Sequence, residues 1–213
     1  MRLPNIRFAV LLASIGLFAF GGDLLAQAAH AHMGHVADGW RDTPDEAGLL
    51  PTAVAEAEIA ALHAGLAAGS GSLDAIKAHI GHVLNALDPS VEESGPGKGY
   101  GVVKAATGAA THIRLAANSG DASDNVKLHA THVETSVNNV VEWAQRVIEL
   151  CAEAKATDDQ AAAAELAKEI QAMTQAMVSG MDADGNGRTS WGEGEGGLEQ
   201  ASFHMNLMKR GEG

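Results

Sequence analysis

A single cysteine, Cys151, stands in a chain of 213 residues. That scarcity excludes an intramolecular disulfide, a cysteine-based zinc knuckle and a C-x-x-C-H haem attachment. Aromatic residues make up only 4% of the sequence and prolines number five, while alanine is abundant. Such a composition suits Ala-rich helices better than sheets. Positive charge is also scarce, with 14 Lys and Arg against 27 Asp and Glu, a net charge of −13. A chain this acidic is expected to bind neither nucleic acid nor an anionic membrane surface, and it favours cations.

The long apolar run from Phe8 to Phe20 is thirteen residues, too short to span a bilayer comfortably. Arg2 and Arg7 precede it and Ala26-Gln27-Ala28 follows as a small-x-small cleavage site. Residues 1–28 therefore read as an export signal, with an uncleaved anchor as the alternative, and the mature protein is expected to be periplasmic or secreted, without stable membrane association. Residues 29–50 follow as a flexible arm containing His30, His32, Met33 and His35. This arm reads either as a ligand cluster suited to Cu(II) or Ni(II) or as a soluble linker with incidental histidines.

The centre of the chain contains one pattern twice. Residues 63–83 and 112–133 both fit H-x-x-L-A-A-x-S-G followed by D-x-[IV]-K-x-H-x-x-H-V. The copies lie 49 residues apart before the Ser-Gly and 50 after it, which marks an internal duplication. Ser-Gly is a turn signal. In a helical hairpin, His63 and His79 then fall nearly level, each roughly 10–14 Å from the turn at about 1.5 Å rise per residue. His82 lies one turn beyond His79 on the same face. The second copy repeats the arrangement with His112, His129 and His132.

The pattern predicts an all-α fold, a four-helix bundle over residues 51–156 built from two duplicated hairpins. Its first helix starts near Pro51 and Thr52 and turns Ile59, Leu62 and Leu66 inward. The second begins after Ser72 as N-cap and stops at Asp88-Pro89. The third covers about Val102 to Asn118, and the fourth, with the stripe Val126, His129, Val133, Val137, Val140, Ala144, Val147 and Cys151, runs from roughly Ser123 to Ala156. Six imidazoles at similar depth would then point into a shared interior, as one site or as one per hairpin. Burying them is costly unless they are paired or ligated. Without thiolates or nearby carboxylates, such a site suits copper, zinc or nickel. Nothing beside the histidines stands out as a general base, so an enzyme is not expected.

Residues 157–213 form a C-terminal segment. A helix opening on a Thr157/Gln160 capping box carries Met173, Met177 and Met181 at four-residue spacing, a pliable apolar contact more readily than a copper ladder. A final short helix from Leu198 to Lys209 either packs Phe203, Leu207 and Met208 on those methionines or offers His204, Met205 and Met208 as soft ligands. Between the two, Asp182-Ala-Asp184-Gly-Asn186-Gly187-Arg188-Thr-Ser190-Trp-Gly-Glu193 resembles the EF-hand calcium-binding loop family. The resemblance places Asp182, Asp184, Asn186, the Arg188 carbonyl, Ser190 and Glu193 as calcium ligands around the sharp turn at Gly187. It departs from the family at Thr189, where an aliphatic residue is usual, and in the glycine-rich stretch after Glu193. A single unpaired loop points to a structural calcium site.

In its histidine-rich helices and H-x-x-H spacing, the region 52–150 also loosely resembles exported small metal-binding helical bundle proteins. That resemblance implies buffering, storage or delivery of copper or zinc. The competing expectations are a non-covalent haem electron-transfer bundle, in which two level histidines ligate the iron, and a calcium-stabilised interaction module without a transition metal.

Overall fold

A computed structural model describes residues 27–213, which fold into seven α-helices with no strand among the described residues. The helices are α1 (Ala28–Ala37), α2 (Leu49–Ala68), α3 (Leu73–Leu87), α4 (Val102–Asn118), α5 (Asp124–Ala156), α6 (Gln160–Ser179) and α7 (Leu198–Glu212). The expected export signal lies, apart from its last two residues, outside the described residues.

Helix starts follow local chemistry. The Ser72 hydroxyl accepts from the Ala75 N–H at 3.3 Å and that of Ser123 from the Val126 N–H at 3.1 Å, while Asp74 and Asp124 sit in the positive first turns of α3 and α5. Helix α2 begins at Leu49, earlier than expected, because Pro51 falls in its first turn, where a missing N–H breaks no intrahelical bond. Helix α6 is capped by Asp159, which accepts from Ala161 and Ala162, so the proposed Thr157/Gln160 capping box is replaced.

Two antiparallel hairpins, α2–α3 and α4–α5, are present and pack together through α2–α4 and α3–α5 contacts. The expected four-helix unit is not self-contained, however. Helix α6 packs on α2 and α5, α7 lies along α5, and α1 covers α4, so one hydrophobic core draws on all seven helices. Residues 28–37, expected as part of a flexible arm, are helical because Ala29, Met33 and Val36 recur at helical spacing and bury fully against that core.

The buried face of α2 is not the expected leucine stripe. Ala53, Ala57, Ala60, Ala64 and Ala67 line it, whereas Leu62 and Leu66 are 61% and 44% exposed. Small side chains let α3, α4 and α6 approach α2 closely, so the leucines are displaced to the rim. Glu56 lies fully buried in the same face, and its carboxylate accepts N–H bonds from Lys98, Tyr100 and Gly101 at 2.9–3.0 Å. This clamp secures the loop joining the hairpins. Gly101 in that loop has φ +86°, and a Cβ there would meet the Leu87 carbonyl and the Pro89 ring within 2.8 Å, so glycine is required.

Candidate functional site

Nine of the ten histidines gather into three triads, in each of which the ligand atoms lie within 4.8 Å of one another. The first joins His63 of α2 to His79 and His82 of α3. The second joins His112 of α4 to His32 and His35 of α1. The third joins His129 and His132 of α5 to His204 of α7. His30 is exposed and belongs to none of them.

The six duplicated histidines therefore do not share an interior. His112 is drawn away from His129 and His132 by α1, and those two are completed by α7. The cause is the register of each helix. Around His63, His112 and His204, the positions three before, one after and four after are all buried: Ala60, Ala64 and Ala67; Ala109, Ile113 and Ala116; Ala201, Met205 and Met208. Around His32, His79 and His129 the same positions are Ala29, Met33 and Val36; Ile76, Ile80 and Val83; Val126, Ala130 and Val133, again buried. At about 100° per residue, that buried arc is centred roughly 70° round the helix from the first histidine. Each imidazole consequently sits at the edge of a helix seam, half-buried, rather than in the core.

One template thus recurs six times as three antiparallel pairs, H-x-x-H-V facing H-x-x-L. The antiparallel sense is visible where the Ala29 N–H meets the Asp121 carboxylate near one end of the α1–α4 pair, and where the Asn125 amide donates to the Met208 carbonyl near the α5–α7 triad. His32-Met-Gly-His35-Val36 and His204-Met-Asn-Leu207 are the third copies of the two halves, shorter than the long duplication and separated in sequence from each other. Those pentapeptide and tetrapeptide matches were the signal that could have joined His204 and the arm histidines to the rest. Met33, Met205 and Met208, weighed as soft ligands, are instead core residues, and Met177 is fully buried as well.

Within each triad the lone histidine is a hub. His63 Nδ1 lies 3.2 Å from Nδ1 of both His79 and His82. His112 Nδ1 is 3.0 Å from His32 Nδ1 and 3.4 Å from His35 Nδ1, and His204 Nδ1 is 3.1 and 3.2 Å from those of His129 and His132. A ring nitrogen carries one proton or one in-plane lone pair, so it makes one good hydrogen bond and not two. A hub Nδ1 facing two other Nδ1 atoms is therefore poorly explained by hydrogen bonding alone. Two nitrogens bound tetrahedrally to one ion at 2.0–2.1 Å stand about 3.3 Å apart, which these separations match.

Electrostatics keep the donors free. Burial, followed by the neighbouring imidazoles, lowers the pKa of all three hubs, His63, His112 and His204, the last to about 4. His35 and His132 shift the same way for the same reasons. Neutral rings offer lone pairs at pH 7. The one thiol contributes nothing, since burial pushes Cys151 up to about 12.

The acidic loop after α6 holds together through its own side chains. Asp182 accepts from the N–H groups of Asn186 and Gly187, Asp184 accepts from Asn186, and the Asn186 side chain accepts from Arg188. Asp182 and Asp184 come within 4.8 Å of Glu195, and Glu193 stays exposed outside that group. The carboxylate that closes the cluster is thus two residues later than the expected twelfth position. Glycines at 192, 194, 196 and 197 allow this longer path, and Asn139 of α5 secures it by bonding to Gly192, Gly194 and Gly196. The Ser190 side chain, followed by its backbone N–H donating at 3.0 Å, holds the Glu195 carboxyl below the usual range.

The helical architecture and the triads define a class of protein: an all-helical chain with histidine groups able to hold metal ions. Comparison with protein families, characterised proteins and solved structures finds no match, so the chain is described by its own geometry alone.

Proposed function

We propose that the protein is an exported metal-binding protein that buffers, stores or delivers copper or zinc through three separate three-histidine sites. The observation that carries this reading is that in each of three triads one hub Nδ1 lies 3.0–3.4 Å from two others, with all three ligand atoms within 4.8 Å of one another. Imidazole-only donors favour copper and zinc over the harder ions that prefer carboxylates. The apolar run at the start of the chain supports export. A haem site fits poorly, because axial ligands stand on opposite sides of a wide flat macrocycle, and rings meeting within 3.4 Å leave no slot for one.

The deciding experiment titrates zinc or copper into the purified metal-free protein by calorimetry and confirms the stoichiometry by elemental analysis. Three equivalents are expected. Replacing both histidines of one pair, His32 and His35, His79 and His82, or His129 and His132, by Ala should remove one equivalent each while the helical circular dichroism is kept. Unchanged stoichiometry across all three double variants would refute the reading.

The 182–195 loop supports a fourth, oxygen-based site, for calcium. Its support is the one-three-five spacing of Asp182, Asp184 and Asn186 together with the nearby Glu195.

A further inference from the structure

The three triads share one template yet differ in what packs on their rings. In the α5–α7 triad, Trp191 stacks on His132 with ring centroids 3.9 Å apart and planes 20° apart. Phe203 adds an edge contact to His204 at 5.3 Å. In the α1–α4 triad, Trp40 lies against two of the three rings, His35 at 4.7 Å and His112 at 4.8 Å. In the α2–α3 triad, among the described residues, His63, His79 and His82 meet only one another as aromatic partners. The leucines beside and one turn beyond His63, Leu62 and Leu66, are exposed.

The two tryptophans come from irregular segments rather than from the helices that carry the ligands. Trp40 precedes α2, where its N–H pairs with the Glu46 and Ala47 carbonyls, and Trp191 lies in the loop before α7. Neither is required by the histidine template, since the α2–α3 triad assembles without one. Each is positioned by its own backbone anchor: the bridge between Gly39 and Ala47 for Trp40, and the bonds of Asn139 to Gly192 and Gly196 for Trp191.

We infer that Trp40 and Trp191 are retention residues that make the α1–α4 and α5–α7 sites slow to release metal, leaving the α2–α3 site as the one that exchanges. This inference rests on the three-site reading above. An imidazole leaves a metal by swinging its ring about its side-chain torsions, and an aromatic ring packed against it, face-on at Trp191 and edge-on or tilted at Trp40, obstructs that motion. The obstruction acts on departure and recapture alike, so it alters rates more than the number of ions held. A protein with two retained ions and one exchangeable ion has one labile port to the solution.

The test uses the full mature chain loaded with three equivalents of zinc and mixed with excess chromophoric chelator in a stopped-flow instrument. One third of the amplitude is expected in a fast phase and two thirds in phases roughly tenfold slower, the upper end of what one aromatic pair is worth. W40L and W191L should each move one further third into the fast phase, with stoichiometry still three. W40F and W191F, which keep an aromatic face, should restore slow release. The fast phase should disappear in the variant with both His79 and His82 replaced by Ala, loaded with the two equivalents it retains. A single release rate for all three ions, leucine variants that leave the rates unchanged, or a fast phase that survives loss of His79 and His82 would each overturn the inference. A stoichiometry other than three would instead overturn the reading on which it rests.

Discussion

Replacing Glu56 by Gln tests the clamp that holds the two hairpins in register. The Glu56 side chain is fully buried, with one oxygen accepting from Tyr100 and Gly101 and the other from Lys98. Glutamine keeps a carbonyl for the first pair, but its NH2 group then faces the Lys98 N–H, donor against donor. One charge-assisted bond is lost and a buried donor is left without a partner, a cost of about 2–4 kcal/mol. With a urea dependence of about 2 kcal/mol per molar, the unfolding midpoint of the metal-free protein should fall by about 1–2 M. Urea titration followed by circular dichroism reads this directly. A midpoint within about 0.3 M of the parent would mean that removing a buried charge repays the lost bonds, and the clamp would not be a source of stability.

Two further outcomes follow from the sites themselves. His204 has a folded pKa of about 4, below its unfolded value near 6.5, so at pH 7 the folded state holds no proton there and the unfolded state only about a quarter of one, and the group contributes little to the pH dependence of stability. As pH falls from about 6.5 to 4, the unfolded chain takes up a proton that the folded one refuses. The metal-free protein should therefore lose stability across that window, and H204N should lose less over the same range in thermal unfolding. For the acidic loop, E195Q should weaken calcium binding by at least tenfold in calorimetry while E193Q leaves it nearly unchanged; the reverse order would return the closing role to the twelfth position of the EF-hand pattern.

How much of this was legible in the sequence depended on how far each partner lay along the chain. His63, His79 and His82 sit on one hairpin, where helical rise and a Ser-Gly turn bring them level by local geometry. His112 carries the same surroundings, yet its neighbours are on α1, 77 and 80 residues away. The choice between α1 and the hairpin partner is made by packing, since Ala29, Met33 and Val36 bury against the core and bring His32 and His35 with them. The all-helical class was legible because alanine content and 3.6-residue periodicity act within each segment. The path of the glycine-rich loop was not, because Asn139, on a helix 55 residues away, decides where Gly194 lies and hence which glutamate faces Asp182.

The separation of ligands along the chain has a mechanical side. His32 and His112 lie 80 residues apart, and His132 and His204 lie 72 apart. An ion seated in either triad would act as a reversible cross-link fastening α1 or α7 to the body, restricting the open chain as a disulfide does over a loop of like length. With one buried cysteine, the chain has no covalent means to the same end. Gaining or losing an ion would then be felt at both extremes of the described helices, as a change in how readily α1 and α7 peel away.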